Sequence, residues 1–220
     1  MSKKFKSMPS KLDVFDFDGT IFNSPTESEE NKLKYEKATG IPWVIDKQMS
    51  HKLTQKHGKY IGMRRGWWGR AETLEPPLVP SPVPQEWFHK EVCKAFENSL
   101  SSPECRTMII TGRYRGLKHQ VFRILNESKL VKIDTSDKNQ YRWNDENCNI
   151  QFLGDDGPLY SKNKPSTTFE YKIWVLEQCM ELFPEIKTIE FWEDRAEHVE
   201  KFQELHGLLA ENVIVNHIKF

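Results

Sequence analysis

The chain is short of most features that assign a class directly. Its four cysteines, Cys93, Cys105, Cys148 and Cys179, show no C-x-x-C spacing. That argues against a zinc ribbon or a disulfide framework and for free thiols in a reducing compartment, cytoplasmic or nuclear. No apolar run approaches the roughly 18 residues of a membrane span, so no membrane partner is expected. Met1 to Ser10 is basic but has no apolar centre, and reads as a disordered tail rather than a signal peptide. Net charge is also missing: 32 basic residues balance 32 acidic ones. Any affinity for nucleic acid must therefore come from a local patch. There is no internal repeat.

What is present is an ordinary apolar fraction, 37% of 220 residues. That suffices for one α/β domain with an insertion, or for two small domains. The organising stretch is Leu12-Asp13-Val14-Phe15-Asp16-Phe17-Asp18-Gly19-Thr20. An apolar strand, about Leu12 to Phe17, runs into two acids one residue apart. In a strand, i and i+2 share a face, so Asp16 and Asp18 would look toward one opening, and Gly19 would turn the chain away. Paired carboxylates repel unless a cation lies between them, and hard oxygen ligands suit Mg2+.

Strand and helix patterns alternate further on. Arg106 to Ile110 reads as a strand ending in Thr111-Gly112-Arg113, and Leu117 to Leu125 as an amphipathic helix. Asn149 to Leu153 is a short strand, and Phe169 to Leu182 a helix stopped by Pro184. Lys187 to Trp192 is a strand running into Glu193-Asp194-Arg195, with a helix through Leu205 and a last strand at Asn212 to Val215. This alternation predicts a mostly parallel sheet covered on both faces. Ligands of such sheets bind beyond the carboxyl ends of the strands, where Asp16, Thr111 and Asp194 fall. Between about Asn23 and Glu104 the texture differs. A charged helical stretch follows Ser24-Pro25-Thr26, then Arg64-Arg65-Gly66-Trp67-Trp68, then five prolines between Pro76 and Pro84, read as extended and stiff. Helical spacing returns over Trp87 to Leu100.

Taken in order, Phe15-Asp16-Phe17-Asp18-Gly19-Thr20, Ile109-Ile110-Thr111-Gly112-Arg113, a lysine, and an acidic pair after a strand resemble the haloacid dehalogenase (HAD) superfamily. The likeness covers about residues 11–22 and 105–220. It implies a Rossmann-like catalytic core there, a tail over 1–10, and a substrate-selecting cap inserted at 23–104. A narrower set of motifs is similar to the HAD-type domain of Swiss Army Knife RNA repair proteins. These are Gly66-Trp67-Trp68, the proline run, Trp87-Phe88, Thr168-Phe169-Glu170-Tyr171-Lys172 and Glu193-Asp194-Arg195-Ala196-Glu197-His198. Those domains are proposed to act on phosphorylated RNA ends and accompany ligase or kinase modules, so other RNA-repair enzymes are implied partners.

The resemblance implies a phosphatase. Asp16 would attack phosphorus, and Asp18 would serve as general acid and then general base. Mg2+ would take Asp16, the main-chain carbonyl of Asp18, Asp194 and waters, with Glu193 holding one water. Thr111 and Gly112 would contact a phosphoryl oxygen, and Lys172 would balance the transition state. Arg113 and Arg195 could each grip a second phosphate or the substrate backbone, or form a structural ion pair with Glu193 or Asp194. His198 lies one helical turn past Asp194, as a partner behind the site or a packed histidine. Arg64, Arg65, Trp67 and Trp68 mix charges with flat rings, as single-stranded nucleic-acid sites do; the alternative is one tryptophan in the cap core and arginines in solvent. Asp155-Asp156 after Phe152-Leu153-Gly154 competes with Glu193-Asp194 as the final acidic motif, with Lys129 or Lys132 as its lysine. Three functions stay open: phosphatase on an RNA or oligonucleotide end, phosphatase on a small phosphorylated metabolite or nucleotide, and a non-catalytic module that binds phosphorylated ends.

Overall fold

The computed structural model describes residues 9–58, 66–130, 133–134, 142–143, 148–155, 165 and 167–219. Its elements are β1 (Lys11–Phe15), α1 (Glu29–Thr39), α2 (Lys47–His57), α3 (Lys90–Ser101), β2 (Cys105–Tyr114), α4 (Lys118–Glu127), β3 (Ile133–Asp134), β4 (Arg142–Trp143), β5 (Cys148–Leu153), α5 (Thr168–Leu182), β6 (Thr188–Glu193), α6 (Ala196–Gln203) and β7 (Asn212–His217). Five strands form one sheet in the order β5-β2-β1-β6-β7, and every pairing in it is parallel. A small antiparallel pair, β3 with β4, lies apart.

The central strand explains the layering. Leu12 and Val14 face one side of the sheet and pack with Met108, Ile110, Ile189 and Phe191 against Tyr171, Val175, Leu176 and Phe202 of α5 and α6. Phe15 and Ile109 face the other side, against Val92, Phe96, Val121 and Leu125 of α3 and α4. Alternation sends neighbouring side chains to opposite faces, so one apolar strand feeds two cores. Asp13 points to the α3 side, where a polar knot replaces apolar packing. The Cys105 thiol donates to Asp13 Oδ2 at 3.0 Å, Ser99 Oγ meets Thr107 Oγ1 at 2.7 Å, and Lys11 bridges Asp13 and Glu190.

The interval 23–104 divides in the folded chain. Tyr35, Ile41, Trp43, Ile45, Leu53, Trp67 and Leu78 form a cluster of their own. Leu74, Val79, Val83, Phe88, Val92 and Phe96 instead join the core beside β1 and β2. The proline-rich run is not the extended rod its composition suggests. Leu78 N and Val79 N both donate to Glu75 O, folding it into a turn that buries Leu78 and Val79. Those apolar residues between the prolines are what bend it.

β1 ends at Phe15, two residues before the expected Phe17. Asp16 N still donates to Trp192 O at 3.0 Å, but from Phe17 onward the chain turns, and Asp18 bridges to Phe22. The shared strand face therefore does not orient Asp18; the turn does. β2 runs past the expected Ile110 to Tyr114, and its register with β5 slips between Thr111 and Tyr114. Such a bulge re-aims side chains at a strand end, and here it swings Arg113 inward.

Candidate active site

Because the five strands are parallel, their carboxyl ends share one edge, and the motif residues meet there. Carboxylate oxygens of Asp16, after β1, and of Glu193 and Asp194, ending β6, lie within 4.8 Å of one another. Lys172, in the second turn of α5, reaches this trio. Its Nζ lies 3.2 Å from Asp16 Oδ1 and donates to Glu193 Oε2 at 2.7 Å. Asp16, Lys172 and Glu193 are 3%, 2% and 1% exposed. Bringing an ionised trio out of water is tolerable only with compensating charge.

Both Asp16 carboxylate oxygens and Asp194 Oδ1 lack a hydrogen-bond partner. Lys172 is close enough to Asp16 for an ion pair but out of line for a hydrogen bond. Burial, above all, pushes the Asp16 carboxyl up to about 7; Lys172 works against that shift and Glu193 adds to it. Burial, reinforced by Glu193, raises Asp194 to about 6. Burial would raise Glu193 as well, but Lys172 and His198 outweigh it and hold that carboxyl far below its usual range. Burial would lower Lys172, and the Asp16 and Glu193 carboxylates reverse this and raise it. Orphaned, buried, hard oxygens around one point fit a divalent cation such as Mg2+. Gly19 keeps that point open. It sits at φ +71°, and a Cβ there would fall 2.1 Å from Asp194 Oδ2.

Asp18 is not part of the trio. Arg113 holds its carboxylate with a fork: Nε donates to Oδ2 at 2.9 Å and Nη2 to Oδ1 at 2.7 Å. The remaining Arg113 nitrogen, Nη1, donates to Thr73 Oγ1 at 2.7 Å and to Trp68 O at 3.1 Å. This corrects the reading of Arg113 as a grip for a second phosphate. Its side chain is fully buried, and its ion-pair partner is Asp18 rather than Glu193 or Asp194. Arg195 faces outward. Its side chain is 46% exposed, with Nη2 3.9 Å from Asp16 Oδ2 and Nε 3.7 Å from Glu193 Oε1. Thr111 is buried beneath, its Oγ1 accepting from Arg113 N at 3.1 Å. Gly112 is pressed against Thr168, whose side chain would lie 3.0 Å from a Cβ at that position. His198 sits behind the trio with Nδ1 3.2 Å from Glu193 Oε2, packed on Phe169.

The two tryptophans part company. Trp67 is 3% exposed, packs at a tilt on Trp43 with ring centroids 4.9 Å apart and donates from Nε1 to Pro25 O at 2.8 Å. It belongs to the inserted cluster, which corrects its assignment to substrate. Trp68 is 46% exposed. Arg64 and Arg65 lie outside the described residues, as do Asp156 and Lys132. Asp155 closes a turn instead of joining the trio: its Oδ2 accepts from Phe152 N at 3.0 Å.

A cleft of about 450 Å3 opens over this edge, walled by Asp18, Gly19, Gly112, Asp194, Arg195 and Trp68 among others. Sequence reasoning missed six of its walls, Asn23, Ser24, Thr26, Thr168, Ile218 and Lys219. Ser24-Pro25-Thr26 carried only a turn signal, and no local pattern marks a residue that reaches a cleft across the fold.

The family described as HAD domain family 1 in Swiss Army Knife RNA repair proteins matches residues 43–218. That span includes Thr111, Lys172, Glu193 and Asp194 and begins after Asp16 and Asp18. The uncharacterized protein YMR265C of Saccharomyces cerevisiae is 19% identical over 196 residues, 88% of this chain. The chain spans 36% of that protein's length. Two solved structures are similar at low identity. The Legionella pneumophila effector Ceg4 is 13% identical, with 99% of this chain and 90% of that one covered and a TM-score of 0.44. Cytosolic 5'-nucleotidase IIIB bound to cytidine is 14% identical, with 96% and 81% covered and a TM-score of 0.37.

Proposed function

The chain belongs to the family described as HAD domain family 1 in Swiss Army Knife RNA repair proteins, and from that premise we propose that it is a HAD-type phosphatase that removes a terminal phosphate from RNA or an oligonucleotide, using Mg2+ and an aspartyl-phosphate on Asp16. The observation that carries the proposal is the convergence of three carboxylates, two of them with unpartnered oxygens, with Lys172 paired to Asp16 and Glu193 and with Asp194 in the wall of the cleft.

Asp16 and Asp194 would hold the ion, joined by the main-chain carbonyl of Asp18, with Glu193 holding one of its waters. Bound there, Mg2+ supplies the positive charge that offsets repulsion between these acids and a phosphoryl group. An Asp16 oxygen attacks phosphorus, the ester P–O bond breaks, and the leaving oxygen takes a proton from Asp18. Water then attacks phosphorus and gives its proton to Asp18, the bond to Asp16 breaks, and phosphate leaves. Lys172 fixes Asp16 and balances the added charge. Arg195, the Thr111 hydroxyl and the Gly112 N–H supply donors for the phosphoryl oxygens. The Arg113 fork fixes the direction of Asp18, as proton transfer to a single leaving atom requires. His198 orients Glu193. The inserted interval, through Asn23, Ser24 and Trp68, forms the wall that selects the substrate.

The test is phosphate release from 3'- and 5'-phosphorylated oligonucleotides, mononucleotides and sugar phosphates, with Mg2+ and with EDTA. Turnover of oligonucleotides that disappears in EDTA and in Asp16→Asn is expected. Release of no phosphate from any of them by protein that binds Mg2+ would defeat the proposal. Preference for sugar phosphates would defeat its nucleic-acid half.

A further inference from the structure

We propose that the cleft beside Asp18 is a nucleobase subsite in which the exposed face of Trp68 is the stacking platform for the nucleoside that the phosphate leaves. This rests on the phosphatase reading above and names its leaving group.

An indole nearly half exposed needs a reason when its neighbour Trp67 is 3% exposed with its N–H satisfied. The same short turn hides one ring and presents the other. Trp68 is also held in place. The Arg113 guanidinium carbon lies 4.9 Å from its ring centroid, and Arg113 Nη1 donates to its main-chain carbonyl. A cation behind the ring and a fixed backbone leave it rigid, so little freedom is lost when a second flat ring is laid on it.

The surroundings match a nucleoside better than a sugar or an acid. Ile218 adds apolar surface, and Asn23 and Ser24 add polar groups to the same cleft. Ser24 is 5% exposed, and its hydroxyl has no hydrogen-bond partner. Buried hydroxyls normally have partners, so this one is set to meet a ligand atom. Arg195 and Lys219 bring positive charge. A flat apolar face, a few polar edges and cations near the reacting acids are the mixture that nucleotides require. A cleft of about 450 Å3 lies within the size range of small-ligand sites.

The shared chemistry is a base carried next to a phosphate ester, whether on a free mononucleotide or on a single strand. The experiment compares kcat/KM on adenosine monophosphates, on a phosphorylated single-stranded pentamer, and on glycerol phosphate, which has no ring. The enzymes are wild type, Trp68→Ala, Trp68→Leu and Trp68→Phe. Alanine and leucine are expected to lower the ratio of ringed to ringless turnover by about 5- to 100-fold, mainly through KM, and phenylalanine to restore most of it. A proportional fall on all substrates would make Trp68 a prop for Arg113 and overturn the proposal, as would an unchanged ratio. A larger dependence for the pentamer than for the monophosphate assigns the platform to strand ends; an equal one assigns it to free nucleotides, and either sustains it. A binding arm separates this proposal from the catalytic one. Equilibrium dialysis of adenosine monophosphate with Asp16→Asn should show a similar loss on adding Trp68→Ala. If wild type hydrolyses nothing while this loss appears, the chemistry fails and the subsite stands. Binding indifferent to Trp68 sinks the subsite whatever the turnover.

Discussion

Asp16→Asn should abolish turnover and yet make the metal-free protein more stable. At an effective dielectric of ~20, unit charges ~4.8 Å apart repel by roughly 3–4 kcal/mol, and Asp16 faces both Glu193 and Asp194 across such distances. Lys172 offsets part of this. Burial and its neighbours leave the folded carboxyl near 7 instead of 3.8, which corresponds to about 4 kcal/mol as an upper bound at pH 8. A buried amide with imperfect partners returns about 1–2 kcal/mol of that. A net gain of roughly 1–3 kcal/mol remains, or about 2–12 °C in Tm for a domain of this size. The sign follows from linkage. An acid whose folded pKa is raised holds its proton more tightly when folded, so it favours folding at low pH. That contribution is lost as pH climbs from about 4 through about 7. The gain from asparagine should thus be small at pH 5 and full at pH 8. Thermal unfolding in EDTA across that range is the assay. Mg2+ should close the gap by stabilising wild type more than the variant. A variant less stable than wild type at pH 8 in EDTA, or a gain independent of pH, would refute the reasoning.

Three further predictions concern other parts of the site and fold. Gly19→Ala should lower Mg2+ affinity and turnover at least tenfold, since its Cβ would occupy the place of Asp194 Oδ2; Mg2+ titration by calorimetry checks this. Arg113→Lys keeps the charge but loses the fork on Asp18, so kcat should fall at least tenfold with KM little changed. Arg113→Ala, which strands a carboxylate against a buried gap, should also lose about 3–5 kcal/mol in urea unfolding. Burial pushes the thiols of Cys93 and Cys179 up to about 11, and burial with the Asp13 carboxylate pushes Cys105 up to about 12. All three should resist iodoacetamide at pH 8 until the chain is unfolded, as mass spectrometry of labelled peptides would show.

The parallel core was legible because its signals are local. Apolar runs with period two, helical stripes and Pro184 as a stop each depend on a few adjacent residues. The trio was legible for a different reason. In a parallel sheet, residues at strand ends converge whatever the loops do, so Asp16, Glu193 and Asp194 could be grouped once the strands were read. The partner of Arg113 could not be read because its direction depends on a register slip between β2 and β5, which no pattern within β2 announces. Trp67 and Trp68 could not be told apart by type; only the cluster around Trp43 decides which one turns inward. Asn23 and Ser24 carried no chemistry-bearing spacing at all, and the cleft alone gives them a role.

The Arg113 guanidinium touches three separate stretches of chain: Asp18 after β1, Trp68 in the insertion, and Thr73 where the insertion rejoins the core. It is a rivet through all of them. The wall that carries Trp68 therefore cannot swing away while the acid stays aimed. In the mechanism proposed above, letting a spent molecule out along that wall and disarming the proton donor would be a single movement.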